Sequence, residues 1–434
     1  MSFIISHMHL RTVLHTTAIT YFLWVNSAYA GNFTDMLRQV LTTHPQLEAE
    51  REALKSAQSS VNEAYAGFFP SANLEYDRGR QNIKFNSFSS EYATTDSRQL
   101  VVTQPVFNGG GTIARVGSAQ ASEKAEAARL ELTGQQIVLR AITAYADVSE
   151  KQEVLTLSWQ KVQALTDHLK ATNRQFSVGE LTITDVSQSE ARLARAEAQL
   201  KDAQAALDVA ITTYKRETGL EANSIDGIPP IPLVLPASEE EIRQLVATHP
   251  ALETAKQNER AADYTIDERR SAILPQVNLQ GQIDNNQRIT QPGLNQVNQR
   301  AVMLQVVIPI FQGGAEYARL SQAGHEYNRA RNNTLDTNRQ VIEAALSEWH
   351  NFKAAEQVIS SYEQSTAAAQ KALKSVEIER LAGTRTVLDV LNAQEELYSD
   401  RIALAQAKTR YVVGSYRLLV ATGILSSAKI PQNA

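Results

Sequence analysis

No cysteine occurs among the 434 residues. That removes disulfides, thiolate metal sites, thiol nucleophiles and the acylated cysteine of a bacterial lipoprotein together. Aromatic side chains are scarce at 6%, while Ala, Gln, Glu, Leu and Arg abound, a composition that leans toward long helices. Positive charge is not in excess: the formal net charge is −5, so a nucleic-acid partner lacks its electrostatic footprint. Beyond the N-terminal leader no segment approaches roughly 18 consecutive apolar residues, and no helix is expected to span a bilayer. Catalytic signatures are missing too. There is no H-E-x-x-H, no G-x-S-x-G and no phosphate-binding loop. His7, His9 and His15 fall in the leader, and His44 and His249 occupy matching positions of a repeat. Neither an enzyme nor a cofactor or metal site is expected, although 43% apolar residues suffice for a buried core.

What is present begins with an export signal. A weakly basic start (His7, His9, Arg11) leads to an apolar run around Val13–Val25 and then to "SAYA" at 27–30. Ala28 and Ala30 make an A-x-A cleavage site before Gly31. Residues 1–30 are read as a signal peptide, and the mature chain as exported.

The mature chain says most things twice. "THPQLE" at 43–48 returns as "THPALE" at 248–253, and "FPSANL" at 69–74 as "LPQVNL" at 274–279, both 205 residues on. From there the offset is 204: "PVFNGG" (105–110) answers "PIFQGG" (309–314), Gly179 answers Gly383, Asp185-Val186 answers Asp389-Val390, and Gly219 answers Gly423. Because Pro and Gly punctuation is copied along with the helices, this is a tandem duplication. The first copy is placed at 31–225 and the second at 238–425. A proline-rich linker (226–237) joins them, and 426–434 is a short tail.

The prolines are expected at element edges. Between them lie proline-free runs, 112–178 and 315–382, each about 67 residues long. A straight helix of that length would reach about 100 Å, too long for a globular core. A seam of alternating three- and four-residue spacing runs through Leu193, Ala196, Leu200, Ala203, Leu207, Ala210 and Tyr214. A second runs through Leu388, Leu391, Tyr398, Ile402, Ala405, Val412, Tyr416 and Leu419, with Glu395 and Thr409 as polar exceptions. Small alanines on such a seam let helix axes approach closely. A solid bundle and a hollow barrel both satisfy this pattern.

Within each copy the period changes from 3.5 to 2. "QVNLQGQID" (276–284) and "VMLQVVI" (302–308) alternate apolar and polar, and "NLEYD" (73–77) and "LVVTQ" (100–104) do so more weakly. Each copy should hold a hairpin, about 71–106 and about 276–310, of strands about ten residues long, the length of an outer-membrane strand. Four strands cannot close a membrane barrel, which needs about eight or more, so a barrel would have to be shared between subunits. Gly109-Gly110 and Gly313-Gly314 sit where the chain turns from strand to helix, and Gly179 and Gly383 where the long helices stop.

These residues carry a family resemblance. The duplicated "HP-x-L", "PVFNGG" and "PIFQGG", "VGELTITDV" (178–186) and above all "AGTRTVLDVLNAQEELYSDRIALAQAKTRYVVGSYRLLVATGIL" (382–425) resemble the TolC-type outer-membrane channels of efflux pumps and type I secretion systems. The last segment lies closest to the secretion branch. The resemblance implies a mainly α fold with a small β part: a homotrimer whose α-helical barrel crosses the periplasm and continues into a shared 12-stranded barrel in outer-membrane lipid. It implies a passive duct that docks to a periplasmic adaptor and an inner-membrane transporter, ABC-type or proton-driven. The runner-up from another class is a periplasmic coiled-coil scaffold without a pore.

The resemblance also assigns residues. Gly179, Leu181, Thr182, Gly383, Thr384 and Thr386 would form the tip that receives the adaptor. Thr184, Asp185, Arg380, Arg385, Asp389 and Asn392 would form the closed aperture. An Arg on one hairpin facing an Asp on its neighbour would pin the tube shut, and Asp389 would line a carboxylate ring favouring cations. Asp185 and Asp389 also suit helix N-termini, where acids complement the dipole. Asn392 stands where some relatives carry a second ring aspartate, and Arg380 where some carry a tyrosine.

Overall fold

The computed structural model describes residues 30–85, 88–222, 225, 227–232, 234–288 and 297–425. The leader, except Ala30, lies outside these residues. So do part of the linker, the loop holding Pro292, and the tail. Helices α1 (Ala30–Thr43) and α2 (Pro45–Ala66) precede strands β1 (Ser71–Phe85) and β2 (Phe88–Asn108), followed by α3 (Gly111–Ser177) and α4 (Ile183–Thr218). The same order returns as α5 (Glu239–Val246), α6 (Pro250–Ser271), β3 (Gln276–Arg288), β4 (Val297–Val307), α7 (Ala315–Leu381) and α8 (Val387–Ala421). The long helices start and stop within a residue of the proline-free runs, each with 67 residues. Pro45 and Pro250 open α2 and α6, the first helical position, where a missing N–H costs nothing.

Two compact units cut across the two copies. One holds the described residues up to Glu48, Leu132–His249 and those from Val341 on; the other holds Ala49–Glu131 and Pro250–Gln340. The first unit has an apolar core from α1, α3, α5 and α8, with Met36, Leu37, Ile137, Ile142, Ile242, Leu418 and Leu419 fully buried. Each such side chain contributes about 1.5–3 kcal/mol by leaving water. Phe33 meets Tyr145 edge-on at 5.4 Å, and the buried Tyr416 hydroxyl donates to the Pro230 carbonyl at 2.6 Å. His249, from the repeated "THP", is buried, and its ring Nε2–H donates to the Val420 carbonyl at 3.2 Å near the end of α8. Burial lowers its pKa below the ordinary imidazole range, which favours the neutral ring.

The seams are buried in part: Leu193, Leu200, Tyr398, Ile402 and Ala405 are half-buried, and one position is exposed. Ala196, Ala203, Leu207, Ala210 and Tyr214 are buried on α4, and Leu391, Val412, Tyr416 and Leu419 on α8. Leu388 is instead 39% exposed. Val387 and Leu391, four residues apart, take the inward stripe of the first turn, and Leu388 falls beside it. Glu395, a polar exception on the seam, pairs with Lys161.

The second unit carries one antiparallel sheet in the order β1-β2-β3-β4. Its register sets Leu74 opposite Leu100, Leu100 opposite Ile283, and Leu279 opposite Leu304. Leu74, Leu100, Leu279, Ile283, Val302 and Leu304 therefore share one face across all four strands, and that face is exposed: Leu74 is 76%, Val302 78% and Leu304 64% accessible. In the first copy the strands run 15 and 21 residues rather than about ten. Pro105 lies inside β2 rather than at an edge. It pairs with Asn278, the next pair is Phe107 with Val277, and the skipped Val106 marks a bulge, the sheet setting in which proline is tolerated. Gly109, Gly110, Gly313 and Gly314 all have positive φ and turn each hairpin into its long helix. No helix among the described residues is long and apolar enough to cross a membrane.

Candidate functional site

The residues assigned to the aperture and the adaptor contact all lie in the first unit, at two helix–turn–helix junctions. At each, a long helix ends in the same way. The Gly179 N–H reaches the Phe176 carbonyl at 2.9 Å and the Glu180 N–H reaches that of Gln175 at 2.9 Å. The Gly383 and Thr384 N–H groups reach Arg380 and Glu379 at 3.0 Å each. Both glycines sit at φ 79°, the left-handed conformation that this helix stop requires.

The next helix then starts under a capping box. Thr182 Oγ1 accepts from the Asp185 N–H at 3.3 Å, while the Asp185 carboxylate accepts from the Thr182 N–H at 2.9 Å and its hydroxyl at 2.7 Å. Thr386 and Asp389 repeat this at 3.2, 2.9 and 2.8 Å. Asp185 and Asp389 thus serve as N-terminal acids. These hydrogen bonds hold both carboxyls below the ordinary range.

The side chains around the two boxes differ. Leu181, half-buried, packs against the edge of the apolar cluster that contains Val162, Leu165, Ala196, Val387 and Leu391. Arg385, at the equivalent position of the second turn, is exposed, and its Nε donates to Glu379 at 2.9 Å. That partner is on its own hairpin and was not named from the sequence. Arg380 donates from Nη1 to Gln175 at 3.2 Å, tying α7 to α3. Asn392 accepts from Arg192 Nη2 at 2.9 Å, tying α8 to α4. Thr184, Thr384 and Gly383 are exposed. His168, with its pKa lowered first by burial and then by the Arg380 charge, lies in the same region.

Sequence reasoning missed Gln175, Glu379, Arg192 and Lys161. Gln175 and Glu379 are 204 residues apart, so the repeat alignment carried a signal for them. Exposed apolar side chains flank both turns: Val178 (70%) and Ile183 at the first, Leu381 (75%) and Ile378 at the second. Among the described residues no group of His, Asp or Glu is arranged to hold a metal ion.

A sequence profile described as outer membrane efflux protein matches the chain twice, over residues 36–218 and 242–424. The outer membrane efflux protein BepC of Brucella suis is 28% identical over 404 residues, 93% of this chain and 88% of its own. The outer membrane protein TolC of Escherichia coli is 25% identical over 414 residues, 92% of this chain and 83% of its own. In fold, the crystal structure of the outer membrane protein VceC of Vibrio cholerae is similar with a TM-score of 0.79 at 20% identity, covering 91% of this chain and 96% of that one. The chain belongs to the outer membrane efflux protein family.

Proposed function

We propose that the chain is one third of a trimeric exit duct, which passes cargo from a periplasmic adaptor and an inner-membrane transporter through the outer membrane. The family consists of passive outer-membrane channels rather than enzymes, and the chain is an outer-membrane protein with a periplasmic extension. The observation that carries the trimer is the sheet. β1 pairs with β2 alone and β4 with β3 alone among the described residues, while an apolar face is exposed across all four strands. In hydrocarbon, unpaired edge groups cost several kcal/mol each. Three copies joined edge to edge make twelve strands and leave no edge, whereas one copy falls short of the smallest membrane barrel, about eight.

The two turns form the periplasmic tip in this reading. Gly179, Leu181, Thr182, Gly383, Thr384 and Thr386, with the exposed apolar residues beside them, supply a surface for the adaptor. Thr184, Asp185, Arg380, Arg385, Asp389 and Asn392 close the aperture. Residues 1–30 are removed on export. The run from Ala382 to Gln394 favours protein secretion of the type I kind over small-molecule efflux.

The test is single-channel current in planar bilayers, wild type beside Arg385→Ser and Arg380→Ser. A small wild-type conductance should grow severalfold in Arg385→Ser and less in Arg380→Ser. Equal, unaltered conductance in both variants would remove Arg385 from the gate. No current from any of them, after correct outer-membrane assembly, would return the chain to the pore-less scaffold.

A further inference from the structure

Lys161 is a charged residue in an apolar seam. Its side chain is only 7% exposed, next to Val162 and one turn from Leu165, both buried in the cluster that joins α3, α4 and α8. Its ammonium is nonetheless fully paired. Nζ donates to Gln199 Oε1 on α4 at 2.8 Å and lies 2.8 and 2.7 Å from the two carboxylate oxygens of Glu395 on α8. A lysine has three protons to give, and this site offers three oxygens from two other helices.

An apolar residue would satisfy the seam with less desolvation, so the pair is not explained by stability. What it supplies is register. A leucine can slide past its neighbours, whereas Lys161, buried at the base of the pair, gives up its oxygen partners if the helices shift. Glu395 is one turn beyond Asn392, itself bound to Arg192 of α4, and two turns beyond the Thr386–Asp389 cap. Clamping Glu395 therefore fixes where the first turns of α8 stand against α3 and α4.

We propose that Lys161 is a positioning residue for tip closure: from its buried position it gathers the half-buried Glu395 and the exposed Gln199 into a clamp that holds α8 on the α3–α4 hairpin, and the duct opens only when the clamp releases. The proposal rests on the gate reading above for its functional consequence. It differs from that reading in placing a second closure element inside the helical wall, away from the exposed Arg385.

The experiment records single-channel conductance of the full mature protein for Glu395→Gln, Lys161→Met, the exchanged pair Lys161→Glu with Glu395→Lys, and Arg385→Ser, with outer-membrane assembly and heat resistance checked for each. Glu395→Gln keeps the shape of the site and guards against a Lys161 variant that fails to assemble. Conductance should rise about threefold or more in each single substitution, the size of shift expected when one state loses a specific contact, and return to within about twofold of wild type in the exchanged pair. A merely structural role would lower heat resistance without moving conductance, and would overturn the proposal. Wild-type conductance in Glu395→Gln and Lys161→Met beside an opened Arg385→Ser would overturn the clamp and leave the tip gate standing. The reverse pattern would support the clamp and remove Arg385 from the gate.

Discussion

Compare the turn at 178–186 with the turn at 382–390. Gly179 and Gly383 share a φ of 79°. Both preceding helices close with the same pair of backbone hydrogen bonds, and the two capping boxes agree to within a tenth of an ångström in each contact. Yet the positions between these fixed points hold different chemistry. Leu181 answers Arg385, and Gln175 answers Glu379. In the first turn the equivalent position is absorbed into the apolar cluster; in the second it forms an exposed ion pair. The difference teaches that glycine, threonine and aspartate hold the backbone of the turn in either copy. The positions between them are free to specialise, one for packing and one for charge.

Exchanging the divergent residues is the most forceful way to break the comparison. Leu181→Arg would set a guanidinium against the edge of the apolar cluster on which Leu181 packs. Because an Arg stem can lie along apolar surface while its head reaches water, the cost should be about 1–3 kcal/mol rather than that of a fully buried charge. It would be read as lowered heat resistance of the assembled protein. The reciprocal Arg385→Leu should leave heat resistance within about 0.5 kcal/mol, as exposed ion pairs contribute little, and raise conductance. Equal loss of heat resistance in both would mean that the second turn also relies on packing at this position.

A milder intervention sharpens the comparison instead. Thr182→Ala and Thr386→Ala each remove one hydroxyl from a capping box and should each cost about 1 kcal/mol locally. Hydrogen exchange at the first amides of α4 and α8 would then quicken by about the same factor, near fivefold. Protection lost at one turn only would show that the boxes, alike in distance, do not carry like loads.

Much of this was legible in the residues. Proline-free runs gave the long helices to within a residue, because Pro and Gly act through local backbone sterics. Period-two alternation gave four strands and their apolar face. The extent of β2 was not legible: Pro105 reads as a boundary until a bulge is seen to accommodate it. Leu388 satisfied the seam spacing, yet Val387 and Leu391 had prior claim on the buried stripe. The site was read less completely than the fold. Asp185 and Asp389, assigned to the aperture, were also legible as N-terminal helix acids because that placement is local in sequence, whereas the Thr182 and Thr386 caps were not named. Glu379 and Gln175, though equivalent in the repeat, were not found because nothing in the repeat says which arginine each meets, and Arg192 was not found because its meeting with Asn392 depends on how α4 packs on α8. Lys161 sits in a stretch whose neighbours announce a core, and only the arrival of Glu395 from 234 residues away accounts for it.

The smallest effect expected is also the finest test of how alike the turns are. Asp185 is held below the ordinary carboxyl range by the Thr182 hydroxyl and then the Thr182 N–H. Asp389 is held there by the Thr386 N–H and then its hydroxyl, with the Arg385 charge adding least. A carboxyl whose pKa is lower in the folded chain stabilises the fold fully above its unfolded value, near 4, and loses that contribution as the pH falls through its folded value. Protection of both turns, corrected for intrinsic exchange, should therefore stay level from about pH 8 to about pH 5 and decline only below about pH 4. Arg385→Ser should barely move the acid midpoint of the second turn, while Thr386→Ala should move it further toward the ordinary carboxyl value. The opposite ranking would mean that the guanidinium rather than the cap keeps Asp389 ionised, and the two turns would then differ in their first hydrogen bonds as well as in the residues between them.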